Sequence, residues 1–92
     1  MPRYLIELTH SDEYTACVKA LQAIEQMGSH FVTHAEWGCR DGVHTGWLMI
    51  ELASREEAMQ IVPVQFRKEA RIVQLNNFTR DQIASMVAEL EE

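Results

Sequence analysis

The stretch Phe31-Val32-Thr33-His34-Ala35-Glu36-Trp37-Gly38-Cys39-Arg40-Asp41-Gly42-Val43-His44-Thr45-Gly46-Trp47-Leu48-Met49-Ile50-Glu51-Leu52 decides the fold. Two alternating runs flank Asp41-Gly42, a strong hairpin signal, because a tight primed turn needs positive φ and glycine accepts it without steric cost. With Asp41-Gly42 as the loop, Cys39 faces His44, Trp37 faces Gly46, Glu36 faces Trp47, Ala35 faces Leu48, His34 faces Met49 and Thr33 faces Ile50. Strand side chains alternate faces, so Phe31, Thr33, Ala35, Trp37, Leu48, Ile50 and Leu52 share one face and read as core. Val32, His34, Glu36, Trp47, Met49 and Glu51 share the other. That second set mixes ionisable and aromatic groups and is where chemistry is expected.

Before the hairpin, Tyr4, Ile6 and Leu8 alternate with Leu5, Glu7 and Thr9, the pattern of a first strand. A helix is expected from about Asp12 to Met27, capped by Thr9 or Ser11, with Tyr14, Cys17, Val18, Leu21 and Ile24 as its apolar stripe and Gly28 as its stop. After the hairpin, Ser54-Arg55-Glu56-Glu57 has capping-box spacing and opens a short helix that must end near Pro63. Val64 to Ala70 reads as irregular, with room for one helical turn. Arg71 to Asn76 alternates again as a fourth strand, Val73 and Leu75 on its core side. Thr79-Arg80-Asp81-Gln82 repeats the capping signature and starts a last helix of about residues 79–91, striped by Ile83, Met86, Val87 and Leu90.

Ninety-two residues make one domain, its core about residues 2–77, small enough that an oligomer would help its stability. A net charge of −6 opposes binding to a polyanion, since phosphate neutralisation supplies most non-specific nucleic-acid affinity. Arg67, Lys68 and Arg71 form the one basic cluster and read as a solvated edge. Uncharged stretches such as Gly42 to Ile50 are far short of the roughly 20 residues of a membrane span, and no signal-type apolar segment opens the chain. A cytoplasmic location is the expectation, with no nucleic-acid or membrane partner. Cys17 and Cys39 have no repeated spacing, which favours free thiols over a disulfide framework or a zinc motif. Cys39 stands out because its cross-strand neighbour is His44, and an imidazole eases loss of a thiol proton.

The order β-α-β-β-α-β with a tight central hairpin fits an α+β, ferredoxin-like arrangement: a four-stranded antiparallel sheet in the order 4-1-3-2, two helices on one face and the other face open. A C-terminal helix is added to it. The open face then holds Leu5, Glu7, Thr9, His30, Val32, His34, Glu36, Thr45, Trp47, Met49, Glu51, Ile72, Gln74 and Asn76, too apolar a patch for comfortable exposure. A second copy of the sheet is the economical cover, because a two-fold needs one self-complementary patch. The element order, the length, the start Met1-Pro2-Arg3-Tyr4-Leu5-Ile6-Glu7 and the half-polar open face resemble the dimeric α/β-barrel superfamily, which includes muconolactone-isomerase-like, YCII-like and small monooxygenase-like proteins. The resemblance covers roughly Pro2 to Asn77 and implies a homodimer that binds a small molecule between sheet and cover. Some such relatives isomerise it or oxidise it without a cofactor. The haem-degrading members use an Asn on the first strand where this chain offers Glu7, and the His-Asp pattern of the YCII type is not found around His10.

Within that patch His34 and Glu36 read as a proton-transfer pair, because burial raises a carboxyl pKa and a neighbouring carboxylate raises that of imidazole. Glu7, Trp47, Met49 and Glu51 read as ligand-binding residues, for an apolar or aromatic molecule. The competing reading is that the same groups hold two chains together in a module without enzymatic activity, sensing a ligand or a metal or serving interaction alone. His30 and His34 are four apart, which on a strand means about 13 Å at roughly 3.3 Å per residue, so they do not converge on one ion. Either of them with Glu36 or Glu51 could hold a divalent ion only with help from a partner chain, and neither a metal ligand set nor a cofactor is assigned. Trp37 over Gly46 reads as core packing. No Gly-rich phosphate loop and no elbow-type serine are present.

Overall fold

The structure, a computed structural model, describes residues 1–28 and 34–91. Strand β1 (Arg3–Thr9) leads into helix α1 (Tyr14–Gln26), followed by β2 (Glu36–Trp37), a 3-10 turn at Cys39–Asp41, and β3 (Thr45–Glu51). Helix α2 (Arg55–Ile61), a second 3-10 turn at Val64–Phe66, β4 (Ala70–Leu75) and helix α3 (Arg80–Leu90) complete the chain. The strands form one antiparallel sheet in the order β2-β3-β1-β4, and the described residues contain three helices. The molecule is therefore α+β with an open four-stranded sheet.

Central strand β1 fixes the register on both sides. Ile6 lies opposite Leu48 of β3 and Ile72 of β4, and Tyr4 opposite Ile50 and Gln74. These even-numbered positions of β1 face the helices and form the core with Ala58 and Val62, all of them buried. Parity on β4 is the reverse of the sequence expectation. Ile72 is buried beside Ile6, whereas Val73 and Leu75 stand with Leu5 and Arg3 on the open face. Ile72 and Val73 are adjacent and equally apolar, so alternation could not choose between them; hydrogen bonding to β1 did.

Helix α1 begins later and rolls further than its stripe implies. Neither Thr9 nor Ser11 caps it; the N-cap is Glu13, with no side-chain hydrogen bond, while the Thr9 hydroxyl meets that of Thr45 at 3.3 Å. Ala20, Ala23 and Ile24 are its buried residues, and Tyr14, Val18 and Leu21 are exposed. Packing buries the alanine face of the helix and turns the larger stripe residues to solvent. Gly28 has φ +124, the positive value expected after the helix end.

The later caps follow the sequence closely. Ser54 accepts from the Glu57 amide at 3.2 Å, and Glu57 Oε2 returns the bond to the Ala53 amide at 2.8 Å, one residue before the N-cap. At α3 the box is complete: Thr79 Oγ1 accepts from Gln82 N at 3.1 Å and Gln82 Oε1 from Thr79 N at 2.8 Å. Arg67 closes α2 by donating to the carbonyls of Val62 and Gln60, so a third of the basic cluster serves the fold. Every residue of α3 is exposed. The radius of gyration is 16.5 Å, against about 12 Å for a compact chain of this length.

Candidate functional site

On the open face the side chains of β4, β1 and β3 fall into cross-strand rows. Val73, Leu5 and Met49 make an apolar row, with Leu75, Arg3 and Glu51 on one side of it and Arg71, Glu7 and Trp47 on the other. Glu36 on β2 extends the second row beside Trp47. Glu7 is the polar centre of this face. Trp47 Nε1 donates to its Oε2 at 3.2 Å, and Arg71 Nε lies 3.9 Å from its Oε1. An ion pair with an exposed partner contributes no more than about 1 kcal/mol, so this one orients Glu7 rather than holding the sheet together.

The hairpin register is the expected one, Glu36 opposite Trp47 and Trp37 opposite Gly46. Its extent is not. His34 is exposed and has helical backbone, so it leaves the strand before the position that would face Met49. Period-two reasoning applies only to extended chain, and His34 is not extended. The structure therefore does not extend the strand to His34, and Glu36 is an exposed carboxylate on the edge strand. His30, Phe31, Val32 and Thr33, which the sequence also placed on this hairpin, lie outside the described residues. Trp47 also borders a cavity of about 20 Å³ on the helix side, lined by Trp37, Ile24 and Val62 among others, which is no larger than a water molecule needs.

The loop end of the hairpin brings together a second set of groups. In place of the expected two-residue primed turn at Asp41-Gly42, the reversal is a longer loop, a 3-10 turn over Cys39–Asp41 closed by Gly42 at φ 81 and by Val43 N donating to Gly38 O at 3.0 Å, with no positive φ at Asp41. Pairing of β1 with β3 continues one step past Thr9 and Thr45, His10 N donating to His44 O at 3.0 Å. The two histidines are thus neighbours across the strands, their ring centroids 5.7 Å apart in an edge-on arrangement. Cys39 completes the corner, with Sγ 3.1 Å from His10 Nε2. One ligand atom from each of His10, Cys39 and His44 lies within 4.8 Å of the others. The turn had placed Cys39 beside His44 in the sequence; His10 was missed, because only the β1–β3 register puts it opposite His44.

Cys17 of α1 is the further neighbour of Cys39, and both cysteines are free thiols. Against the expectation that an imidazole eases loss of its proton, burial pushes the Cys39 thiol above its ordinary range, and the hydrogen bond and charge of Cys17 push it the same way. A raised thiol pKa means the folded state disfavours the thiolate; the associated stability is present below the ordinary cysteine range and is lost as pH climbs through the folded value. In metal-free buffer, iodoacetamide should accordingly label Cys39 more slowly near neutral pH than it labels the unfolded chain. Cys17→Ala should move the labelling midpoint downward, as read by peptide mass spectrometry across a pH series; an unmoved midpoint would show that burial alone raises it.

Comparison with family models, with curated proteins and with solved structures returns no match. No helix among the described residues is long and apolar enough to cross a membrane.

Proposed function

We propose that the chain is a homodimeric binding module of the ferredoxin-like, dimeric α/β-barrel type, two sheets closing face to face over a small apolar or aromatic molecule. The observation that carries this reading is the row Val73–Leu5–Met49 between two mixed rows that carry the charges of Arg3, Glu51, Arg71 and Glu7, on the sheet face that receives neither α1 nor α2. Met49, at the β3 end of that row, is 56% exposed. The same chain leaves a second apolar surface uncovered, the α3 stripe of Ile83, Met86, Val87 and Leu90. Apolar surfaces of this kind on a small domain mark contact sites, and a two-fold axis lets one copy cover the faces of the other. The apolar row supports binding, and no catalytic step is assigned. Glu7, held by Trp47 and Arg71, is the acceptor that would orient a ligand's polar end.

Sedimentation equilibrium should return a dimer, and Met49→Glu, which puts a carboxylate in the apolar row, should weaken dimerisation by at least about tenfold. A monomer at every concentration, or a dimer indifferent to the substitution, would overturn the reading. A dimer whose sheet interface is filled and dry against Trp47 would remove the ligand and leave an interaction module.

A further inference from the structure

We propose that His10, Cys39 and His44 bind one divalent transition-metal ion of the zinc class, as three protein ligands with a fourth position left for water or an exogenous donor. The donors come from the end of β1, the 3-10 turn and the approach to β3, and all three already converge within 4.8 Å. Zn–N bonds near 2.1 Å and Zn–S bonds near 2.3 Å in a tetrahedron put ligand atoms about 3.4–3.7 Å apart, so seating the ion requires side-chain adjustment and no backbone rearrangement. The frame is fixed by main-chain hydrogen bonds, His10 N to His44 O at 3.0 Å and Gly38 N to Thr45 O at 3.0 Å.

Two further observations point to a ligand at this corner. His10 Nδ1 lies 2.8 Å from the Ser11 carbonyl oxygen. A carbonyl only accepts, so Nδ1 carries the proton and Nε2 presents its lone pair toward Cys39. Metal-bound histidines have this arrangement, the outer N–H anchored on a carbonyl and the inner nitrogen free. His44 Nδ1 supplies the second. It is buried and has no hydrogen-bond partner, the one such side-chain atom among the described residues. A buried polar atom without a hydrogen bond is unfavourable, and this one belongs to a ring at the corner where the two other ligand residues meet.

Without metal, Cys39 S–H donates to His10 Nε2. On binding, the thiol proton leaves to solvent, Nε2 and Sγ both turn to the cation, and one proton is released per ion bound. A thiolate with two imidazoles prefers Zn²⁺ and Co²⁺ to the hard cations Mg²⁺ and Ca²⁺. His10 and His44 continue the helix-facing parity of Leu8 and Gly46, away from the proposed dimer face, so this site and that reading stand or fall separately.

The test is titration of the full-length, reduced, chelator-treated chain with Co²⁺ and with Zn²⁺, read by absorption and by native mass spectrometry. One ion per chain is expected, with a thiolate-to-cobalt charge-transfer band and the intense visible bands of tetrahedral cobalt, unaffected by excess Mg²⁺ or Ca²⁺. Cys39→Ser should abolish the charge-transfer band. His10→Ala and His44→Ala should each weaken Zn²⁺ binding by more than the roughly 10–100-fold that loss of a supporting hydrogen bond costs. Cys17→Ala should keep the band, and losing it there would overturn the assignment of the thiolate to Cys39. Absence of stoichiometric metal on the wild-type chain overturns the proposal whatever the variants do, so it does not depend on their folding.

Discussion

Ile6→Ala is expected to cost about 2–5 kcal/mol, the range for removing a large aliphatic side chain from a packed core. Ile6 is 6% exposed and sits on the central strand with Leu48 on one side and Ile72 on the other, so it touches both outer halves of the sheet. The residues around it are held in place by that pairing, which limits how far they can collapse into the space left behind. At roughly 4–8 °C per kcal/mol for a domain of this size, the melting temperature should fall by about 10 °C or more. The parity of β4 gives a control. Val73→Ala one residue along removes a side chain from the open face and should cost less than Ile72→Ala; the reverse order in urea denaturation would show the β4 register to be wrong.

Gly46→Ala should destabilise the fold by about 1–3 kcal/mol, through overpacking rather than backbone strain. A Cβ at Gly46 would lie 2.6 Å from Trp37 Cζ3 and 2.8 Å from Cε3, closer than carbon atoms approach, and the glycine has no positive φ. Trp37 cannot simply withdraw, because it lies across the hairpin from Gly46 and its ring also borders the cavity next to Ile24 and Val62. The two positions should therefore be coupled. In a Trp37→Leu background, Gly46→Ala should cost less than about 0.5 kcal/mol, and equal costs in the two backgrounds would show that the indole does not fill the space over Gly46.

How much of this was legible in sequence depended on how local the determining interaction is. The Glu36–Trp47 and Trp37–Gly46 pairs follow from the Asp41-Gly42 reversal alone, because a short loop leaves few registers. The Thr79 capping box and the end of α2 before Pro63 are likewise decided within one turn of chain. The roll of α1 is different: Tyr14 and Val18 fit an apolar stripe, but packing selected the alanine face. His34 fits an alternating strand by pattern, yet its backbone is helical.

The sequence by itself determined strands β1, β3 and β4, the pairing beside the hairpin reversal and the capped starts of α2 and α3, since each is encoded by residues within a few positions of one another. Only the tertiary structure decided which side of β4 is buried and that His10 meets Cys39 and His44. Those outcomes rest on the hydrogen-bond register between strands distant in the chain, where a shift of one residue exchanges the two faces and no local pattern distinguishes them.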